Sequence, residues 1–307
     1  MRIVVHGQQA FGKAVLEALL ERGDDVVAVY AAPEGAREDP LAAAALAAGL
    51  PLVRPASFRD PAVLDAFRAL RPDLQVMAFV TLIVPEEFLR VPTLGTIQYH
   101  PSLLPRHRGR SSINWPLIKG ESETGLTVFW PDGGIDTGDV LLQRTTPISE
   151  TDTLGSVYFD RLFPMGVEAL LEAVDLVRAG TAPRIPQDEA LATYEAPCER
   201  ENARLDWGRP CRQLHDLVRG CDPAPGAWTT CGGQVLQIFA AAPQPARDVT
   251  GLGGAKGEVV DIGADGFSVV CADGRLRVTR VRPAGGAKMG AGEWAAESGL
   301  RSGARLE

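Results

Sequence analysis

The 307-residue sequence is poor in the features that would staple a small secreted fold together. It has five cysteines, an odd number, at Cys198, Cys211, Cys221, Cys231 and Cys271, and none of them form a C-x-x-C pair. A disulfide framework or a cysteine-based zinc site would show paired, closely spaced cysteines, so reduced thiols, no metal and a cytoplasmic setting are expected. No apolar run approaches the roughly 20 residues of a membrane-spanning helix, so a membrane is not an expected partner. Positive charge is not in excess: 31 Lys+Arg stand against 39 Asp+Glu, a net of −8. A protein built to hold nucleic acid usually carries a basic footprint, so nucleic acid is not expected as a partner either. Internal repeats and coiled-coil heptads are missing, and the opening Met1-Arg2-Ile3-Val4-Val5 reads as a strand, not a leader.

What is present is an ordinary globular composition, 45% hydrophobic and 23% charged. At about 150 residues per domain, the length predicts two domains. Charge divides with them: from Leu205 onward there are 12 basic and 11 acidic residues, and the first 204 residues carry a net −9. The N-terminal part alternates apolar β-branched runs at 3–6, 26–30, 51–53 and 74–79 with helical patterns at 14–22, 40–48 and 62–70. That rhythm predicts a parallel, doubly wound sheet. Further strands are expected at 96–100, 124–130 and 140–144, and a short helix at 112–119. A long helix at 154–179 should be kinked or split by Pro164, which lacks an amide hydrogen. Residues 182–202, interrupted by Pro183, Pro186 and Pro197, show no period and read as a linker. A helix at 210–219 then leads to short strands at 235–239, 257–261, 267–271 and 276–281, the pattern of a small barrel or sandwich.

Two loops carry the residue types that chemistry needs. The first follows strand 96–100 and runs Gln98-Tyr-His-Pro-Ser-Leu-Leu-Pro-Arg-His-Arg-Gly109. Histidine is scarce, four in all, and two of the four, His100 and His107, are here. His100 falls at the carboxyl end of a strand, where open α/β sheets place their sites, and imidazole exchanges protons near neutral pH. A structural histidine bonded within its loop is the alternative. The second loop is Asp132-Gly-Gly-Ile-Asp136-Thr-Gly138-Asp139, between two strands. Asp136 suits an imidazole partner; a carboxylate capping its own turn is the alternative. Arg106, Arg108 and Arg110 with His107 form a basic knot fit for an anionic tail, or else a solvated loop. The glycine turn Gly7–Gly12 lacks the G-x-G-x-x-G spacing, so no nucleotide cofactor is expected. Trp115, Trp130 and Trp228 read as packing residues, and Ser102, with no base beside it, as a turn residue.

Taken together, His100-Pro-Ser-Leu-Leu-Pro105 and Asp136-Thr-Gly138 closely resemble the folate-dependent formyltransferase family. Gly7-Gln8, Phe11-Gly12, Ile113-Asn-Trp115, Val128-Phe-Trp130, Ala182-Pro-Arg-Ile-Pro186 and Pro225-Gly-Ala-Trp228 extend the resemblance along the whole chain. Within the family it is most like the hydrolase domain of 10-formyltetrahydrofolate dehydrogenase, with methionyl-tRNA formyltransferase also similar. The resemblance implies a Rossmann-like formyltransferase domain over 1–203 and a small C-terminal β-barrel over 204–307. It implies N10-formyltetrahydrofolate as formyl donor, and water or a small amine or hydroxylamine as acceptor. A methionyl-tRNA acceptor, or a folate-binding module without turnover, are the other readings. His100 and Asp136 match the family's catalytic histidine and aspartate. Phe79, Val80 and Thr81, with Pro131, Asp132, Gly133 and Ile135, match the residues around its pterin ring. One place departs: family transferases carry Asn two residues before the histidine, and here Gln98 stands there. The hydrolase branch also lacks that Asn. Gln98 would have to act as an oxyanion donor with one more methylene, or else points elsewhere and takes no part.

Overall fold

The computed structural model describes residues 1–246 and 253–307, which divide into two compact units. The first comprises Met1–Gly109, Gly125–Thr146 and Phe159–Tyr194; the second comprises Arg110–Thr124, Pro147–Tyr158 and Glu195–Glu307. Among the described residues, no helix is long and apolar enough to cross a membrane.

The first unit begins with β1 (Arg2–Gly7), α1 (Gln9–Glu21), β2 (Asp25–Ala31), α2 (Pro40–Ala47), β3 (Leu52–Val53), α3 (Pro61–Ala69), β4 (Leu74–Ala78), α4 (Glu86–Leu89) and β5 (Thr96–His100). Two of these helices start on the same dipeptide. In each, an aspartate caps the first turn and a proline takes the next position, where no amide hydrogen is needed. Asp39 accepts from the amides of Leu41 and Ala42, and Asp60 from that of Ala62.

Continuing along the chain are α5 (Asn114–Ile118), β6 (Glu123–Phe129), β7 (Val140–Pro147), α6 (Leu154–Val157) and α7 (Phe163–Arg178). The sheet order is β3-β2-β1-β4-β5-β6-β7. The pairs from β3 to β5 are parallel, the doubly wound pattern that the strand–helix rhythm predicts. The parallel run stops at β5, because β6 returns antiparallel to it. A parallel partner needs a crossover helix laid on the sheet; here α5 belongs to the second unit and packs on α8 (Cys211–Gly220). One face of the sheet packs Val4, Tyr30, Phe58, Leu64, Phe67 and Phe88 into a core. On the other, Phe11 of α1 meets Tyr99 at 4.4 Å and Phe163 of α7 edge-on at 5.3 Å.

The long helix is divided, as Pro164 requires. A π-helical turn at Tyr158–Leu162 separates α6 from α7, and Pro164 lies in the first turn of α7, where its missing amide leaves no bond unmade. The stretch 182–202 corrects the linker reading. It carries 3-10 turns at Glu189–Leu191 and Glu201–Ala203, and Pro183, Ile185, Gln187 and Thr193 hydrogen-bond to other parts of the first unit.

In the second unit β8 (Ala227–Cys231), β9 (Gln234–Pro245), β10 (Val259–Gly263), β11 (Gly266–Val270), β12 (Gly274–Pro283) and β13 (Met289–Gly290) precede α9 (Ala291–Ser298). The antiparallel order is β10-β11-β12-β9-β8, with β13 on β12. Residues 304–307 join the two edges, bridging Cys231 to Leu306 and Glu258 to Arg305, so the sheet closes on itself. Trp207, Leu214, Ile238, Phe267, Leu276 and Trp294 fill its interior.

Candidate active site

Strand β5 has the side-chain alternation of any strand, so Gln98 and His100 share one face while Tyr99 takes the other. Pro101 follows, and without an amide hydrogen it cannot extend the ladder. The loop beyond is fixed from several sides. Ser102 Oγ donates to the Arg106 carbonyl at 2.7 Å, a turn bond, and Thr127 Oγ1 donates to the Ser102 carbonyl at 2.7 Å. The amides of His107 and Arg108 donate to Thr193 Oγ1 at 2.8 Å and to its carbonyl at 3.0 Å.

His107 adopts φ +55°, which aims its carbonyl inward, and His100 Nε2 lies 2.9 Å from that oxygen. A carbonyl only accepts, so Nε2 carries a hydrogen. The other ring nitrogen, Nδ1, lies 3.5 Å from Asp136 Oδ2, and both side chains are nearly buried, at 7% and 9% exposure. Asp136 also sits in the left-handed region, at φ +56°, and the Gly109 amide donates to its Oδ2 at 2.7 Å. The two sequence loops therefore meet, with an imidazole nitrogen and a carboxylate oxygen close but not bonded. Gln98, half-buried in the ladder between Met77 and Phe129, has no side-chain hydrogen-bond partner among the described residues.

The basic knot resolves into parts that do different things. Arg106 and Arg110 are exposed, but the Arg108 side chain is fully buried. Its guanidinium donates to both Glu189 oxygens at 2.9 and 2.6 Å, to Gln187 Oε1 at 3.1 and 2.7 Å, and to the Tyr194 hydroxyl at 2.7 Å. Those partners, Glu189 first, hold it firmly protonated. Arg108 has no donor left for a ligand's anionic tail. Gln187, in the stretch read as a linker, was missed by pattern reasoning; its Nε2 donates to the carbonyls of Asp136 at 2.9 Å and Gly138 at 2.7 Å.

The residues matched to a pterin site lie on two segments, 79–81 and 131–135. Val80 and Thr81 line a narrow cleft with His6, Gly7 and Gln8, and Thr81 Oγ1 donates to Gln8 Oε1 at 3.3 Å. Phe79, at φ +64°, is 45% exposed and Ile135 is 63% exposed. Gly133 faces Glu86. Asp132 is occupied in shaping its loop, with Oδ1 accepting from the Gly134 amide at 3.0 Å and Thr137 Oγ1 at 2.5 Å. Pro131 and Asp132 also border a recess of about 410 Å³, with Glu86, Arg90, Trp130 and Arg184. That recess includes Thr96 at the start of β5, roughly 13 Å along the strand from His100 by the rise per residue. It is a polar groove at the opposite end of β5 from His100.

Among the described residues one set of groups has metal-ligand spacing: in the second unit, the ligand atoms of Cys211, Cys271 and Asp273 lie within 4.8 Å of one another. Asp273 Oδ1 already accepts from the Cys211 amide at 2.7 Å, capping α8, and burial raises both thiols, Cys271 to about 12. Buried protonated thiols around a committed cap are a poor receptor for a cation.

Comparison with known proteins points in one direction. The formyl transferase family model matches residues 1–174, and the model of the formyl transferase C-terminal domain matches 197–299. Cytosolic 10-formyltetrahydrofolate dehydrogenase of Xenopus tropicalis is 42% identical over 245 residues, which is 78% of this chain and 27% of that protein. The chain thus spans about a quarter of the length of such relatives. Methionyl-tRNA formyltransferase of Geotalea uraniireducens is 36% identical over 303 residues, covering 96% of this chain and 95% of that protein. Among solved structures, HypX from Aquifex aeolicus in complex with tetrahydrofolic acid superposes with a TM-score of 0.68 at 23% identity, over 97% of this chain and 47% of that one. The sugar 3N-formyl transferase WlaRD, solved in the presence of dTDP and 5-N-formyl-THF, gives 0.69 at 17% identity, over 91% and 96%.

Proposed function

This chain belongs to the formyl transferase family, and from that premise we propose that it removes the formyl group of N10-formyltetrahydrofolate and passes it to water or to a small amine or hydroxylamine. The observation that carries the reading is the pairing of His100 Nδ1 with Asp136 Oδ2 across 3.5 Å at the carboxyl end of β5. Because Nε2–H is spent on the His107 carbonyl, the proton the ring exchanges is the one at Nδ1. Protonated there, the ring presents an N–H to the oxyanion that develops as the acceptor attacks the formyl carbon. Asp136 balances the imidazolium charge and takes a proton from the attacking water. The new oxygen–carbon bond forms, the bond from carbon to N10 breaks, and N10 leaves with the Nδ1 proton, giving formate and tetrahydrofolate. Gln98, one strand period before His100 on the same face, supplies an amide N–H to the same oxyanion.

In this reading residues 1–203 hold the donor and do the chemistry, residues 204–307 form a small barrel domain, and the enzyme works in the cytoplasm without metal or nucleotide. The folate ring is held by the 79–81 segment and by 131–135. A methionyl-tRNA acceptor is the second reading, favoured by similarity over nearly the whole length of a methionyl-tRNA formyltransferase. The net charge of −8 weighs against it, since gripping tRNA releases counterions through basic contacts.

The test is turnover of N10-formyltetrahydrofolate by the purified chain, followed as tetrahydrofolate and formate, alone and with amine or charged initiator tRNA. Formate release without an acceptor supports the hydrolase. Formyl transfer to tRNA alone supports the second reading. Binding of the folate with no consumption under any condition would leave only a folate-binding module. His100→Ala and Asp136→Ala should each suppress turnover by about a hundredfold or more while the chain stays folded, and full activity in either would overturn the mechanism.

A further inference from the structure

Two residues of the first loop, separated by one other, each hold one part of the reacting pair. The His107 carbonyl accepts from His100 Nε2, and the Gly109 amide donates to Asp136 Oδ2. Arg108, between them, points the other way, and its guanidinium reaches Asp136 only through Gln187.

The chemistry of a primary amide makes Gln187 a specific connector. Its oxygen has two lone pairs, and Arg108 Nε and Nη2 occupy them at 3.1 and 2.7 Å. Its nitrogen has two hydrogens, and the carbonyls of Asp136 and Gly138 take them at 2.9 and 2.7 Å. Every hydrogen-bonding position of the side chain is therefore spent, half on one loop and half on the other. The orientation is fixed from the Arg108 side, because a guanidinium only donates and so forces the amide oxygen toward it. Arg108 is itself immobilised by the two Glu189 oxygens and the Tyr194 hydroxyl.

What Gln187 grips is a strained place. Asp136 is not glycine, yet it lies at φ +56°, where an L side chain crowds its own carbonyl. Such a conformation persists only where its surroundings over-determine it. The Gly109 amide fixes the carboxylate, Thr137 Oγ1 ties the next residue to Asp132, and Gln187 holds the carbonyl of the peptide between Asp136 and Thr137.

We infer that Gln187 is a positioning residue: by clamping the carbonyls of Asp136 and Gly138 against the fixed Arg108, it sets the Asp136 carboxylate opposite His100 Nδ1. It touches neither reacting side chain and acts wholly through the backbone of the Asp136 turn. The inference rests on the proposed role of His100 and Asp136.

Two substitutions separate this from a general structural role. Gln187→Glu keeps an oxygen for Arg108 but puts a second oxygen where the two carbonyls need a donor. Gln187→Met keeps the length and removes every polar atom. In the full chain, both should lower kcat for N10-formyltetrahydrofolate consumption by about tenfold or more, as a displacement of the order of an ångström does, while KM changes by less than about threefold. In an Asp136→Ala background the residual turnover should not fall further with Gln187→Met, because the carboxylate that Gln187 positions is gone. Gln187→Asn, whose shorter stem cannot span both loops, should not restore kcat.

Wild-type kcat in both Gln187→Glu and Gln187→Met would overturn the inference. So would an equal further loss in the Asp136→Ala background, which would mean that Gln187 acts independently. Failure of the underlying reading looks different: a wild-type chain that does not consume the folate, or whose consumption survives His100→Ala, removes that reading and this inference together.

Discussion

The strongest pH dependence built into the first unit lies at His6. His6 is 3% exposed on the β1 face that carries Val4, its ring tilted against Phe58 at 4.6 Å and against Tyr30 at 6.2 Å. Gln75 Nε2 lies 3.0 Å from its Nδ1, and an amide nitrogen donates, so Nδ1 must accept and the ring must be neutral. Burial drives its pKa from 6.5 down to about 3. Protonation would desolvate a cation and set two donors against each other at Nδ1. The unfolded chain takes the proton below 6.5 and the folded chain does not. Stability is therefore full above pH 6.5, falls as pH drops through the window from 6.5 to about 3, and flattens below it. At 1.36 kcal/mol per unit, this one residue should remove about 2 kcal/mol between about pH 7.5 and about pH 5, and about 5 kcal/mol by the bottom of the window. The measurement is hydrogen exchange of the β1 and β4 peptides in the parent chain and in His6→Leu at matched pH, where intrinsic exchange rates cancel. The stability difference between the two proteins should shift by about 2 kcal/mol over that interval. A difference constant to within about 0.5 kcal/mol would refute a neutral, buried His6.

Two further predictions concern glycines whose missing side chain is occupied space. A Cβ at Gly138 would lie 1.7 Å from the Trp130 carbonyl oxygen, so Gly138→Ala must push the Asp136 turn away from its place. Turnover of N10-formyltetrahydrofolate should fall by about tenfold or more, and a wild-type rate would mean the turn's position is unimportant. A Cβ at Gly166, in α7, would meet Tyr99 at 2.6 Å and the Phe11 ring at 3.0 and 3.1 Å. Gly166→Ala should destabilise the first unit by about 1–3 kcal/mol in a urea titration, and no loss would mean the aromatic cluster is looser than its geometry indicates.

The parts of the structure legible in the sequence are those set by neighbours along the chain. Apolar runs and helix starts are local, so β5 spans the five residues that its composition indicates, and Asp39-Pro40 and Asp60-Pro61 begin helices. His100 and Asp136 stand at strand exits, so a sheet with known strand directions brings their loops to one place. Gln187 lies in a proline-interrupted stretch with no period, and its partners are 49 to 79 residues away. No local pattern encodes such pairings. Closure of the second unit's sheet is hidden for the same reason. Residues 304–307 look like a polar remnant, yet the amides of Leu306 and Glu307 donate to the Gly257 and Thr230 carbonyls at 2.8 and 3.0 Å, and the Glu307 carbonyl accepts from the Thr230 amide at 2.8 Å. Leu306 is 1% exposed among the interior side chains. Removing its side chain costs about 2–5 kcal/mol by transfer and cavity terms. Deleting 303–307 loses that and also leaves the β8 and β10 edges unpaired, each lost bond adding about 1 kcal/mol. Leu306→Ala should therefore lower the thermal midpoint, and the deletion should lower it further, with faster amide exchange confined to β8 and β10. Equal midpoints for the parent chain and the deletion would show that the sheet is stable as an open one, and that residues 304–307 only lie against it.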